Sequence, residues 1–240
     1  MALVQTKAIV LSAIKYSDTS LIVRCFTLKE GVKSYLLKGV LSARKSKLKP
    51  AYFQPLNQLY IEANHNTKGA LNSIREVHIA HPFQSIHAQI FKQTIVLFLA
   101  EMLGKTIREE EENEPLFDYL ESSIIWLDTH DEVSNFHLFF LFNLTRYLGF
   151  FPDLSENHRE GFHLLDGVFT DEILDKEVLT GESLKQFKKL FHVTTENYHT
   201  VSFHKTERQQ VLQLLIRYFE LQLDGFQKPK SLAVLETVFS

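Results

Sequence analysis

The chain has a single cysteine, Cys25, among 240 residues. One thiol forms no intrachain disulfide and cannot supply a cysteine-rich zinc site, and such usage suits a reducing cytoplasm. Long apolar runs are missing too. Stretches such as Ile95–Ala100 fall far short of a membrane span. The N-terminus, MALVQTKAIVLSAIKY, has no basic segment followed by a long apolar core, so no signal peptide is expected. There is no internal repeat and no low-complexity linker, and the two halves of the chain are expected to pack closely.

The signatures of common catalysts are equally absent. No GxxxxGK[ST] or GxGxxG loop is present to cradle a phosphate. There is no GxSxG elbow and no HExxH zinc helix. Cys25 lies inside an apolar strand, where a thiol is inert. The 11 histidines invite a metal reading, but the nearest sets, His158 with His163 and His192 with His199 and His204, match no common zinc spacing. Carboxylates are plentiful and scattered. The residues argue against an enzyme and call for no cofactor and no metal.

What is present is a division of charge. Residues 1–80 carry 12 Lys+Arg against 4 Asp+Glu, a balance of +8; residues 81–240 carry 14 against 25, a balance of −11. The first part attracts polyanions and the second does not. Within the basic part, Lys38–Lys49 (KGVLSARKSKLK) holds Lys38, Arg44, Lys45, Lys47 and Lys49 and no acid. A solvated loop, basic by chance, would have the same composition. The charge map of the whole chain favours a phosphate-binding arm.

The texture of the first 80 or so residues is β. Strands are predicted at Thr6–Ile14, Leu21–Leu28, Val32–Lys38, Tyr52–Ala63 and Ala70–His81, with Gly31 in a short hairpin connection and Pro55 at a bulge or edge. Five short strands imply a small closed or nearly closed barrel, and the OB fold fits best. The fold class expected is therefore α+β with two domains: a five-stranded OB-fold β-barrel over 1–81, then an α-helical domain over 82–240 with an irregular insert near 150–182. The nucleic-acid face of such a barrel is formed by its second and third strands. Here they carry Arg24, Phe26, Lys33, Tyr35 and Lys38. Cations that neutralise phosphates, interleaved with rings that stack on bases, are the chemistry of single-strand binding. Core packing is the plainer reading for Phe26, whereas alternation sets Tyr35 on the same face as Lys33. The candidate DNA-binding set is Arg24, Lys33, Tyr35, Lys38, Arg44, Lys45, Lys47 and Lys49.

Beyond Pro82 the pattern is helical. Helices are predicted at Gln84–Ile107, Leu116–Leu127, Val133–Leu148, Ser183–Phe191, a long amphipathic segment up to Gly225, and Ser231–Phe239. Arg108–Glu114 (REEEENE) reads as a solvated connection. VSNFHLFFLFNLTRYL is apolar nearly all round and belongs at a buried centre. Phe162–Glu172 reads as a short hairpin or loop around Asp166-Gly167, and Thr206 with Gln209 has the spacing of a capping box.

The order of these features resembles the RecO family of bacterial recombination mediators. The likeness rests on AIVL and LIVRCFT flanking a YSDTS turn, EG before the third strand, KGVLSARKSK and the following FQPL. RYLGFFPDL (Arg146–Leu154) and the closing LLIRYFELQLDGFQKPKSLAVLETVF extend it over nearly the whole chain. The resemblance implies an OB domain packed on a helical one and binding to single- and double-stranded DNA. It implies annealing of complementary strands and help in loading the RecA recombinase onto DNA coated with single-strand-binding protein. Implied partners are RecR and the acidic C-terminal tail of single-strand-binding protein, with no catalysis. One departure stands out. Many members carry a four-cysteine zinc module after the LGFFPDL-like segment, whereas Ser155–Asp175 has no cysteine. That stretch is expected to hold its shape by packing, through Phe162, Leu164, Leu165 and Phe169, without zinc. From the residues alone, an RNA- or ribosome-associated OB protein and a protein-interaction scaffold stay open as alternatives.

Overall fold

A computed structural model describes residues 2–42, 48–66, 71–108, 111–194 and 197–239. It shows two compact units, Met1–Thr129 and His130–Ser240. The first opens with a five-stranded antiparallel sheet: β1 (Ala2–Lys15), β2 (Leu21–Thr27), β3 (Gly31–Leu37), β4 (Gln58–His65) and β5 (Ser73–Ile79). The strand order is β3-β2-β1-β4-β5. β1 is long enough to serve two partners. Ala8–Lys15 pairs with β2, and Ala2–Ile9 pairs with β4.

The expected barrel is not closed. Among the described residues the outer strands β3 and β5 share no ladder; one parallel bridge joins Tyr35 to Asn72, just ahead of β5. Leu36 N–H donates to Asn72 O at 2.9 Å and Asn72 N–H to Ser34 O at 3.0 Å. The Asn72 side-chain amide reinforces the clip by donating to Ser34 O at 3.1 Å. Beneath it, Tyr35 Oη lies 2.9 Å from His65 Nε2, and His65 Nδ1 meets the Glu30 carboxylate. The seam is thus held by one asparagine and a largely buried polar chain, since one side of it is a loop residue and not a strand.

The inner face of the sheet is filled by Val10, Val23, Cys25, Tyr35, Leu37, Leu59, Ile61, Ala63, Ile74 and Val77. Burial raises the Cys25 thiol pKa to about 12, so the thiol stays protonated. The strand predicted from Tyr52 begins later. Pro50 opens a 3-10 turn, Pro50–Phe53, as proline does at a first helical position. Leu56, fully buried, takes a left-handed φ of 60° beside the bulge in β1, where Leu56 N–H donates to Val10 O at 2.8 Å.

Helices α1 (Ile90–Thr106) and α2 (Glu114–Thr129) complete this unit on the other face of the sheet. Phe26 meets Phe117 of α2 with ring centroids 5.9 Å apart, and Lys7 pairs with Glu121 at 2.9 Å. α1 starts six residues after its predicted start at Gln84 because the intervening turn is tied elsewhere. The Asp128 carboxylate accepts the N–H groups of Gln84, Ser85 and Ile86 at 2.8–3.2 Å. Burial opposes its ionisation, but these donors outweigh it and hold the carboxyl below the usual carboxylate range. Lys92, 0% exposed, donates to Ser85 Oγ at 2.7 Å and to the Asp128 carbonyl at 3.0 Å.

The second unit contains α3 (Phe136–Tyr147), strands β6 (Gly161–His163), β7 (Val168–Thr170) and β8 (Val178–Leu179), then α4 (Gly181–Lys188), α5 (Lys205–Gln222) and α6 (Leu232–Val238). α3 is buried on nearly every side, as its all-round apolar pattern requires. The capping box of α5 lies two residues ahead of the expected pair: Glu207 Oε2 accepts the His204 N–H at 3.0 Å. The cysteine-free stretch forms a small sheet of order β7-β6-β8. Phe162, Leu164 and Phe169 are buried there, and Leu165, expected with them, is exposed. Phe162 packs at 5.1 Å from both Phe169 and Phe187, and Phe142 lies 5.7 Å from Phe187 and from Phe191. No helix among the described residues is long and apolar enough to cross a membrane.

Candidate nucleic-acid interface

The basic stretch is pinned at both ends. Gly39 adopts a left-handed φ of 69°, which lets the chain leave Lys38 in solvent and turn Val40 back into the core. Ser42 closes that turn with its N–H 3.1 Å and its hydroxyl 2.8 Å from Gly39 O. At the other end Leu48 packs against the same core, and exposed Lys49 precedes the 3-10 turn. Arg44, Lys45 and Lys47 lie outside the described residues. Lys38 and Lys49 are therefore the described cations of the stretch.

Register shows what accompanies them. Lys15 pairs with Leu21, and Leu21 with Leu37, so the ends of β1 and β3 share one rim of the sheet. Leu41 N–H donates to Thr19 O at 3.0 Å, tying the β1–β2 turn to the basic stretch. That turn carries Lys15 and Tyr16, both exposed, with Lys15 3.5 Å from Asp18. An exposed ring and a cation thus join the rim. Sequence reasoning passed over Tyr16 as turn chemistry, although a tyrosine between Lys15 and a Ser-Asp turn was a usable signal.

Two expected members do not face outward. Tyr35 is 0% exposed. Its ring fills the core and its hydroxyl pKa is pushed up by burial, so it offers no face to a base. Alternation does place it with Lys33, but that face is the inside, and Lys33 is half-buried near the start of the strand. Lys33 and Lys38 stand about 17 Å apart along β3. Arg24 is directed to the C-terminus of α1: its guanidinium donates to Gly104 O at 2.5 Å and Ile107 O at 2.9 Å. There it satisfies carbonyls that a helix end leaves unpaired and complements the helix dipole. Burial, and next the charge of Arg108, lowers its pKa. Lys38 and Lys49, with Lys15 and Tyr16 added, are what the described surface retains.

By architecture this is an α+β protein in which an open, OB-like sheet with a cationic rim precedes a largely helical unit. Comparison with known proteins then gives the family. Residues 1–83 match the model described as "Recombination protein O N terminal", and residues 87–233 match "Recombination protein O C terminal". The chain is 49% identical to the DNA repair protein RecO of Flavobacterium psychrophilum over 237 residues, 99% of each chain. It is equally identical, over the same span, to that of Flavobacterium johnsoniae. It is 39% identical to that of Bacteroides fragilis over 239 residues, 98% of each. The chain belongs to the RecO family of DNA repair proteins.

Proposed function

We propose that the chain is a non-catalytic recombination mediator acting in the cytoplasm. In this reading it binds single- and double-stranded DNA, anneals complementary strands and helps load RecA onto DNA coated with single-strand-binding protein. Its protein partners are RecR and the acidic tail of single-strand-binding protein. The observation that carries the reading is likeness to DNA repair relatives over 99% of the chain and 99% of the relative. The basic stretch supports it physically. Cations along Lys38–Lys49 and Lys15 neutralise phosphates, which lowers the repulsion between two approaching strands. We assign this role to residues 1–81. Lys33, Arg24 and Tyr35 are left out of the track because of the positions they occupy: Lys33 is half-buried on the inner-facing side of β3, Arg24 is turned to the end of α1, and Tyr35 is in the core.

The test is the salt dependence of binding. Each neutralised phosphate contributes about −0.7 to the log–log slope for single strands and about −0.9 for duplex. Changing Arg44, Lys45, Lys47 and Lys49 together to Ala is expected to flatten the single-strand slope by up to about 2.8 and to slow annealing of oligonucleotides pre-coated with single-strand-binding protein. A thermal melt of the variant checks that it is folded. An unchanged slope in a folded variant would remove the stretch from the interface.

A further inference from the structure

Single-strand binding uses rings as well as cations, yet the rings expected on β2 and β3 are buried. The structure offers others. Directly after β5, His81, Phe83 and His87 form a short aromatic ladder. Ring centroids lie 5.3 Å apart between His81 and Phe83 and 6.1 Å between Phe83 and His87, with planes inclined by 58° and 67°. His87 is exposed, and His81 and Phe83 are half-buried. These spacings are below the roughly 6.8 Å, twice the base-to-base rise of about 3.4 Å, that a base needs to slip between two rings. Bases are therefore received on the outer faces.

Three further observations point to a nucleic acid as the occupant. The ladder is joined to the basic stretch: Asn57 Oδ1 lies 3.0 Å from His87 Nε2, while Asn57 Nδ2 donates to Ala51 O at 3.2 Å and Tyr52 O at 3.0 Å, in the turn that follows Lys49. The surrounding sequence repels no polyanion, since residues 77–100 contain no Asp or Glu. Asp128, the carboxylate that bonds to this turn, is buried and occupied by three backbone N–H groups and the Ser85 hydroxyl. That anchoring also holds Gln84–Ile86 in place, so the rings are presented on a fixed turn.

We propose that His81, Phe83 and His87 are the base-stacking platform of this protein, receiving unpaired bases from a strand whose phosphates are met by Lys49 beside the linked turn. The proposal rests on the DNA-binding reading above and adds to it the place where bases, as distinct from phosphates, are held.

The test compares oligothymidine with an abasic oligodeoxynucleotide of equal length, at one salt concentration, on the full chain. Stacking predicts that the wild type prefers the base-bearing strand by about tenfold or more. Phe83→Leu, which keeps an apolar side chain without a π-face, and the double variant His81→Ala/His87→Ala are expected to lose most of that preference while keeping the salt slope. Phe83→Trp is expected to retain it and to show tryptophan quenching on binding beyond that of the wild type, whose one tryptophan is Trp126. A preference that survives in folded Phe83→Leu and in the double variant overturns the platform and leaves phosphate binding intact. A wild type indifferent to bases does the same. Failure of the wild type to bind either strand overturns both readings.

Discussion

At the scale of single residues, burial decides between roles that composition leaves open. His137 shows this for titration. It sits within α3, where burial, and next the charge of Arg208, pushes its pKa down to about 3. In the unfolded chain an imidazole titrates near 6.5. Below that value the unfolded state takes up a proton that the folded state refuses, so its contribution is intact above about pH 6.5 and is lost progressively as pH falls toward 3. Between pH 7.5 and pH 5 the wild type is expected to lose about 2 kcal/mol more stability than His137→Phe in urea unfolding. Equal losses would count against a neutral, buried His137. Tyr35 and Arg24 teach the complementary lesson. Alternation correctly groups Tyr35 with Lys33, but it cannot say which face a sheet turns inward. The partner of Arg24 lies 80 residues away in α1, beyond any local pattern.

At the scale of elements, periodicity located strands and helices well and their ends less well. β4 begins six residues after its expected start because Pro50 and Leu56 shape a turn that carries its own apolar residues into the core. The turn before α1 reads as helix from its residues, because the carboxylate that ties it down comes from the far end of α2. The small sheet of the second unit has the clearest steric requirement. Gly161 begins β6, the central strand, and a Cβ there would lie 2.7 Å from Val178 Cγ1 and 3.1 Å from Thr170 O. Gly161→Ala is expected to cost about 1–3 kcal/mol. Adding Val178→Ala should recover part of that loss in a thermal-unfolding double-mutant cycle. Strict additivity of the two would show that the contact is not what matters. The burial of Phe162, Leu164 and Phe169 was foreseeable from a cysteine-free stretch that has to hold its shape by packing; exposed Leu165, and the partner ring Phe187 from α4, were not.

At the scale of the whole molecule, the charge division and the order of motifs were legible and sufficed to reach the family. The closure of the sheet was not. Five strands suggest a barrel, but whether the last seam forms a ladder depends on the loop before β5, where Asn72 takes the place of a strand residue. Compactness also follows contacts more than texture. β-rich and helical segments share the unit Met1–Thr129, tied by Arg24 to α1, Lys7 to α2 and Asp128 to the connecting turn. Native-state hydrogen exchange on the full chain is expected to give the amides of β1, β2, α1 and α2 one shared opening free energy. Asp128→Ala, which leaves three backbone donors without their acceptor, is expected to lower it by about 3 kcal/mol. Loss of protection confined to 84–106 would mean that the helices open on their own.

The double duty of β1 has a consequence for how the chain assembles. Its C-terminal half meets β2 across separations as short as the six residues from Lys15 to Leu21. Its N-terminal half meets β4 across 49 residues at the least, from Ile9 to Gln58. Closing the longer loop costs about 2 kcal/mol more in chain entropy, so the β1–β2–β3 meander is the cheaper structure to form and β4 the later arrival. The chain that must be drawn in for that second step includes Lys38–Lys49, whose like charges resist compaction until Val40 is buried and Leu48 packs against the core. The segment best suited to meeting a polyanion is also the one whose self-repulsion opposes completion of the sheet.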